Sequence, residues 1–184
     1  MLLRVALSVA LLLLSAPAAA KGLELSLGVE GGVSRYTGAL GDVLKSGASW
    51  GVNAKVRATP WLSVGFAYSG SLNRLSVPDE DAPPLLVRDG ASAIARLSPG
   101  RRTFEPFVEV GAGISRLTLA RGDAGPRYQG DTTAEIPAAA GVMLHADALD
   151  VGLKLGYVAL LGNSVYEGGG GHLLTGSLTL GASF

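Results

Sequence analysis

The chain has 184 residues, a length that suits one domain, and its 15 Lys plus Arg balance its 15 Asp plus Glu. Zero net charge argues against nucleic acid as a partner, which needs a basic footprint, and the lack of cysteine excludes disulfides, lipoprotein attachment and thiol chemistry. Hydrophobic residues make up 48% and aromatics 6%, while the 27 glycines are about double average usage.

Met1 to Ala20 reads as a secretory signal peptide. Arg4 supplies the positive start, Val5 to Leu14 the apolar core, and Ala18-Ala19-Ala20 the small-residue cleavage site before Lys21. That core is too short for a spanning helix, which takes about 20 apolar residues. No later apolar run is long enough either. A mature chain over residues 21–184 that sits in a membrane must therefore do so as a closed barrel, because an open sheet leaves edge groups unpaired in lipid.

From there the pattern has a period of two. Leu23, Leu25, Leu27, Val29, Gly31 and Val33 alternate with Glu24, Ser26, Gly28, Glu30, Gly32 and Ser34. A polar, Gly-rich loop is expected over Arg35 to Ala48. The second strand sets Trp50, Val52, Ala54, Val56 and Ala58 against Gly51, Asn53, Lys55, Arg57 and Thr59. After a turn at Pro60, the third sets Leu62, Val64, Phe66, Tyr68, Gly70 and Leu72 against Ser63, Gly65, Ala67, Ser69, Ser71 and Asn73. An acidic, Pro-rich loop over Arg74 to Leu86 holds Asp79-Glu80-Asp81 and Pro83-Pro84.

The fourth strand, about Val87 to Leu97, is carried by Ala91, Ala93, Ala95 and Leu97, with Asp89 interrupting its apolar face near the loop end. Ser98-Pro99-Gly100-Arg101 marks a turn. The fifth places Phe104, Pro106, Val108, Val110, Ala112 and Ile114 opposite Glu105, Phe107, Glu109, Gly111, Gly113 and Ser115. A third long loop runs from Arg121 to Thr132. The sixth strand carries Ala134, Ile136, Ala138, Ala140, Val142 and Leu144, and the short link Ala146-Asp147-Ala148 leads into the seventh, with Val151, Leu153, Leu155, Tyr157 and Ala159. After a loop over Gly162 to Gly171, the eighth alternates Leu174, Gly176, Leu178, Leu180, Ala182 and Phe184 with Leu173, Thr175, Ser177, Thr179, Gly181 and Ser183.

The expected fold is all-β: an up-and-down antiparallel transmembrane barrel of about eight strands. Its connections alternate long and short, as in barrels with short periplasmic turns and longer surface loops. The apolar faces carry no Lys or Arg, which at midplane would cost about 2–4 kcal/mol. The polar faces are mostly small residues, suited to a narrow lumen rather than to a soluble exterior. Trp61, Phe104 and Phe184 fall at the turn end, and Trp50, Tyr68 and Tyr157 nearer the loop end, as interfacial aromatics would.

The signal peptide, the eight strands of about ten residues and the terminal Leu178-Thr179-Leu180-Gly181-Ala182-Ser183-Phe184 together resemble the small outer-membrane β-barrels of the OmpA/OmpX type. The resemblance is one of architecture and covers nearly all of the mature chain. It implies the bacterial outer membrane as location, outer-membrane lipid as surroundings, and assembly machinery that reads the last strand through Leu178, Leu180 and Phe184. Larger members of that type carry a periplasmic peptidoglycan-binding domain, and none is expected here.

The inward faces carry Glu24, Glu30, Lys55, Arg57, Arg88, Arg96, Glu105, Glu109, Glu135, Asp150 and Lys154. Counting from the turns puts Glu30, Lys55, Glu109 and Lys154 at similar depth. A barrel of this size has room only for its own side chains, and an unpaired buried charge is costly. The expectation is a structural ion-pair network of Glu30, Lys55, Arg57, Arg96, Glu109 and Lys154 that fills the lumen. No cofactor and no metal are expected, since two His without Cys give no ligand spacing.

Catalysis is not expected either. Some small outer-membrane barrels modify lipid A, but neither His145 nor His172 stands in the His-x-Ser arrangement of that deacylase family, and nothing sets Ser164 or Ser177 against His172. Arg121-Gly122-Asp123 is a tripeptide of low information, and Gly168 to Gly171 lacks the Lys-Ser/Thr of a phosphate loop. The role expected is structural or surface-interacting, with a possible extracellular partner at the long loops. A narrow pore or a path for small apolar solutes comes second, and a lipid A-modifying enzyme third.

Overall fold

A computed structural model describes residues 24–76, 84–99, 103–120, 131–146, 149–162 and 171–184. The expected signal peptide lies outside them, as do Asp79 to Asp81, Arg121 to Asp123, Ser164 and Gly168 to Gly170.

Eight antiparallel strands follow one another around a closed barrel. They are β1 (Leu25–Tyr36), β2 (Gly47–Thr59), β3 (Leu62–Arg74), β4 (Leu85–Leu97), β5 (Phe104–Ala120), β6 (Asp131–Ala146), β7 (Leu149–Leu161) and β8 (Leu173–Ser183). Each pairs with its neighbour in sequence, and β8 returns to β1 through a ladder from Ser26↔Ser183 to Tyr36↔Leu173. The seam extends to the last residue: the Leu25 amide donates to the Phe184 carbonyl at 3.0 Å, and the Phe184 amide to the Leu25 carbonyl at 2.8 Å. Closure leaves no sheet edge, and in lipid no edge could be tolerated.

The alternation read from the sequence sets the wall's two surfaces. Leu155, Phe66, Val33, Ile114 and Leu178 point away from the axis and are among the most exposed large side chains, Leu155 at 74%. Lys55, Arg88, Arg96, Glu105, Glu135 and Asp150 are buried. Aliphatics outside and charges inside is the inverse of a water-soluble sandwich, and it is the arrangement of a membrane barrel.

Glycine permits close packing of the wall at several inward positions. A Cβ on Gly32 would stand 2.0 Å from the Gly176 carbonyl oxygen, and one on Gly65 would stand 2.0 Å from that of Ala54. Any side chain there would drive neighbouring strands apart.

Four findings correct the sequence reading. First, β4 begins at Leu85, pairing with Arg74, two residues earlier than expected. Second, the Arg35–Ala48 segment is not simply a polar loop. β1 runs on to Tyr36, β2 starts at Gly47, and a short helix, α1 (Ala39–Val43), lies between them. Gly38, at φ 66°, makes the reversal before α1, a backbone conformation that costs glycine little.

Third, the lumen is not lined by small polar residues throughout. At the loop end Tyr36, Leu40, Leu44, Leu75, Leu86, Leu117, Val158, Leu160 and Leu173 form one buried apolar cluster, with Val43 and Leu119 packed against it. Strand continuations beyond the hydrocarbon level can turn apolar residues inward, because there Leu40 of α1, with Leu44 and Leu75, covers them. Fourth, besides Asp89, which the sequence already placed on an outward face, the longer strands carry outward Arg35, Arg74 and Arg116, all at their loop ends.

The direction of the wall makes a sharp prediction. Leu155→Arg should destabilise the barrel by about 2–4 kcal/mol in lipid vesicles, the cost of a guanidinium near midplane. Denaturant titration of vesicle-embedded protein measures it. A change within about 0.5 kcal/mol, the usual effect at a water-exposed surface, would contradict a lipid-facing Leu155.

Candidate functional site: the charged lumen

Inward positions of all eight strands meet on the axis, and their charges are stacked in three levels. At the turn end, Arg57 on β2 is bound to Glu24 at 3.1 Å and to Glu105 on β5 at 3.2 Å, and its Nη1 donates to the Pro60 carbonyl at 3.2 Å. Glu105 also lies 3.2 Å from His145 Nε2, while His145 Nδ1 lies 2.6 Å from Asp150 Oδ1. Asp150 Oδ2 accepts from the Ser183 hydroxyl at 2.5 Å, and Ser183 and Ser26 share a hydrogen bond at 3.0 Å. The chain of contacts crosses from β2 through β5, β6 and β7 to β8 and β1, so it ties the seam to the rest of the wall.

At mid-depth, Lys154 on β7 meets Glu30 on β1 at 2.5 Å and lies 3.9 Å from Glu109 on β5. Arg96 on β4 donates from Nε to Glu109 Oε2 at 3.1 Å, and its Nη2 lies 3.0 Å from the same oxygen, an ion pair between register partners. The Arg96 guanidinium also stands 3.8 Å over the ring of Phe107, a cation–π contact. Phe107, the one large apolar side chain on the inward face of β5 at this level, thus serves a cation rather than an apolar core.

Nearer the loop end, Arg88 on β4 and Glu135 on β6 form an ion pair, both side chains about 1% exposed. Ser115 on β5 donates to the same carboxylate, and Arg88 Nη1 donates to Ser69 at 3.2 Å. Above this pair the apolar cluster closes the mouth.

Of the six residues expected to form the lumen network, Glu30, Arg96, Glu109 and Lys154 are brought together at mid-depth. Arg57 is not with them. It belongs to the turn-end level with Glu24 and Glu105. Lys55 is buried at mid-depth, yet no carboxylate lies within ion-pair distance of it among the described residues. It reaches Glu30 only through Asn53, whose Oδ1 accepts from the Lys55 ammonium and whose Nδ2 donates to Glu30 Oε1 at 3.0 Å. Two residues apart on one strand, Asn53 and Lys55 share the inward face, and that spacing was the available signal for the relay. The Arg88–Glu135 pair was equally visible as two inward charges, but only the folded register sets them against each other.

Leu178, Leu180 and Phe184, expected to form the assembly signal, all point outward from β8 and are exposed. His172 does not approach Ser177; its ring lies 5.4 Å from that of Tyr157. His145 has a carboxylate at each nitrogen, and the serine of its group, Ser183, bonds to Asp150 instead. Among the described residues no group of three or more His, Cys, Asp or Glu is placed to hold a metal ion.

An eight-stranded closed barrel with aliphatics outside, charges within and alternating long and short connections has the fold of the small outer-membrane β-barrels of bacteria. The comparison structures bear this out. The chain superposes on Neisserial surface protein A with a TM-score of 0.61 at 14% identity, covering 87% of this chain and 97% of that one. For Ail, the attachment invasion locus protein of Yersinia pestis, the TM-score is 0.58 at 13% identity, with 88% and 99% covered. For OprG of Pseudomonas aeruginosa it is 0.58 at 9% identity, with 88% and 95% covered. No family model matches the sequence, and no curated protein matches it.

The mid-depth pair yields a test. Glu30→Lys would set two ammonium groups against each other inside the wall and should destabilise the barrel by about 3 kcal/mol or more, as breaking a buried pair does. Adding Lys154→Glu, which restores the opposite charges in swapped positions, should recover most of that loss. Adding Lys55→Glu should recover less, because Lys55 touches Glu30 only through Asn53. Equal rescue by both would show that the charges act through the general field of the lumen rather than by contact.

Proposed function

We propose that this barrel is a sealed structural protein of the outer membrane that presents its four long loops at the cell surface, and that it neither conducts nor catalyses. The observation that carries the reading is the double obstruction of the lumen. Ion pairs cross it at three levels, and above them the apolar cluster around Tyr36, Leu40, Leu117 and Leu173 fills the mouth, with α1 folded down into it. Two cavities lie along these levels, about 70 Å³ around Glu30, Lys154 and Arg88 and about 30 Å³ around Lys55, Arg57 and His145, room for a few waters. Secretion through the inner membrane by the residue 1–20 signal, and recognition of Leu178, Leu180 and Phe184 by the assembly machinery, belong to the same reading.

A second reading, passage of small apolar solutes, draws on the apolar mouth, since a greasy vestibule is what such a solute would enter. It requires α1 to leave and the Arg88–Glu135 level to open. Catalysis has less support: a nucleophile needs a base within hydrogen-bond reach, whereas both nitrogens of His145 face carboxylates and Ser183 faces Asp150.

Planar-bilayer recording separates these readings. Purified wild-type barrel should give no conductance steps above the bare membrane. Removing three of the mid-depth charges together (Glu30→Ala, Lys154→Ala and Glu109→Ala) should still give no steps, because the turn-end level, the Arg88–Glu135 level and the apolar mouth remain in place. Stable steps from the wild type would overturn the sealed reading. Lipid A from cells with and without the protein should be identical by mass spectrometry.

A further inference from the structure

The outward positions of the strands carry only four charged side chains among the described residues: Arg35, Arg74, Asp89 and Arg116. All four lie at the loop end, and three of them lie on the adjacent strands β3, β4 and β5. The outward faces of β6, β7 and β8 have none, presenting residues such as Ile136, Leu155 and Leu178 instead.

A continuous row of register partners runs across this side of the wall, Trp50↔Gly70↔Asp89↔Arg116↔Thr132. Asp89 and Arg116 stand directly opposite each other, yet they do not pair. The Asp89 carboxylate turns the other way, toward β3, where the Tyr68 hydroxyl donates to it at 2.5 Å. Gly70 leaves the space that the Trp50 ring occupies; a Cβ there would lie 2.3 Å from the indole. Trp50 and Tyr68 are both partly exposed, and such amphipathic rings sit at headgroup level in a membrane.

Arg116 is therefore an exposed guanidinium beside the aromatic level with no carboxylate partner among the described residues. Four residues further along β3, Arg74 is exposed as well, and its carbonyl accepts from the Lys45 amide at 2.9 Å, which holds a second exposed cation next to it. An arginine costs about 2–4 kcal/mol at midplane but about 0–1 near the interface, so this position is tolerated. The planar fork of arginine matches phosphate oxygens.

We propose that Arg116 and Arg74, with Lys45 beside them, form a site on the outer wall of β3–β5 for an anionic lipid headgroup that carries a phosphate monoester, as distinct from a zwitterionic phosphodiester, in the leaflet at the loop end. The site rests on the barrel's seat in the membrane, and it is independent of whether the lumen is sealed.

The test uses the protein refolded into phosphatidylcholine vesicles, with and without diphosphorylated lipid A or its dephosphorylated form, at low and high salt. The readout is the midpoint temperature at which the folded gel band converts to the unfolded one. Diphosphorylated lipid A should raise the wild-type midpoint, the dephosphorylated form should raise it far less, and salt should shrink the difference. The Arg74→Gln/Arg116→Gln variant should keep its midpoint in phosphatidylcholine alone and lose more than half of the rise. Equal rises from the two lipid A forms, an undiminished rise in the variant, or the same rise from inorganic phosphate would overturn the site. Should the variant not refold, the wild-type comparison of the two lipid A forms still decides. A wild-type chain that folds in no vesicle would overturn the membrane reading itself, whereas a folded barrel indifferent to phosphate overturns this site alone.

Discussion

Hydrocarbon offers a backbone no hydrogen-bond partner, so every amide in the wall must find one within the wall. The seam between β1 and β8 is where that demand is met last, since its two strands are the most distant in sequence. Ten register steps separate Ser26↔Ser183 from Tyr36↔Leu173, and the Leu25–Phe184 pair of hydrogen bonds carries the ladder to the end of the chain. Glycines allow it to close tightly, with Gly32 lying against the Gly176 carbonyl. Once the seam is shut, the circumference is fixed, and every inward side chain must share the space that eight strands enclose.

The lumen follows from that confinement. Charged side chains that point inward cannot reach bulk water easily, and burying one alone is costly. They are arranged in levels, each joining strands that are not neighbours: Arg57 reaches Glu105, Lys154 reaches Glu30, and Arg88 reaches Glu135. These cross-lumen contacts brace the wall from within, which the outward aliphatics cannot do against lipid tails as apolar as themselves. Near the mouth the solution changes from ion pairs to apolar contact, because α1, the residue that follows it and the strand extensions supply Leu40, Leu44, Leu86 and Leu117 in place of carboxylates.

The outer surface obeys a different rule. Along the belt it is aliphatic on every strand, whereas at the loop end a few positions on β1, β3, β4 and β5 carry charge. The Tyr68–Asp89 hydrogen bond decides the character of that patch. By holding the one acid away from Arg116, it leaves a basic surface where a neutral pair would otherwise form.

The architecture was legible in the residues themselves. Period-two alternation, eight segments and alternating loop lengths dictate which side of each strand meets hydrocarbon, because a side chain's face follows from its parity alone. The inward placement of Glu30, Lys55, Glu109, Lys154 and Phe107 could be read in the same way. Tertiary structure decided who meets whom. Arg57 lies at a different level from Glu30, and Lys55 stops at Asn53. Arg88 finds Glu135 across 47 residues of sequence, and α1 folds into the mouth. Those choices depend on strand register, tilt and closure, and on where a loop comes to rest, which parity does not encode. One strand specifies its own two faces; only the closed ring specifies the distance across them.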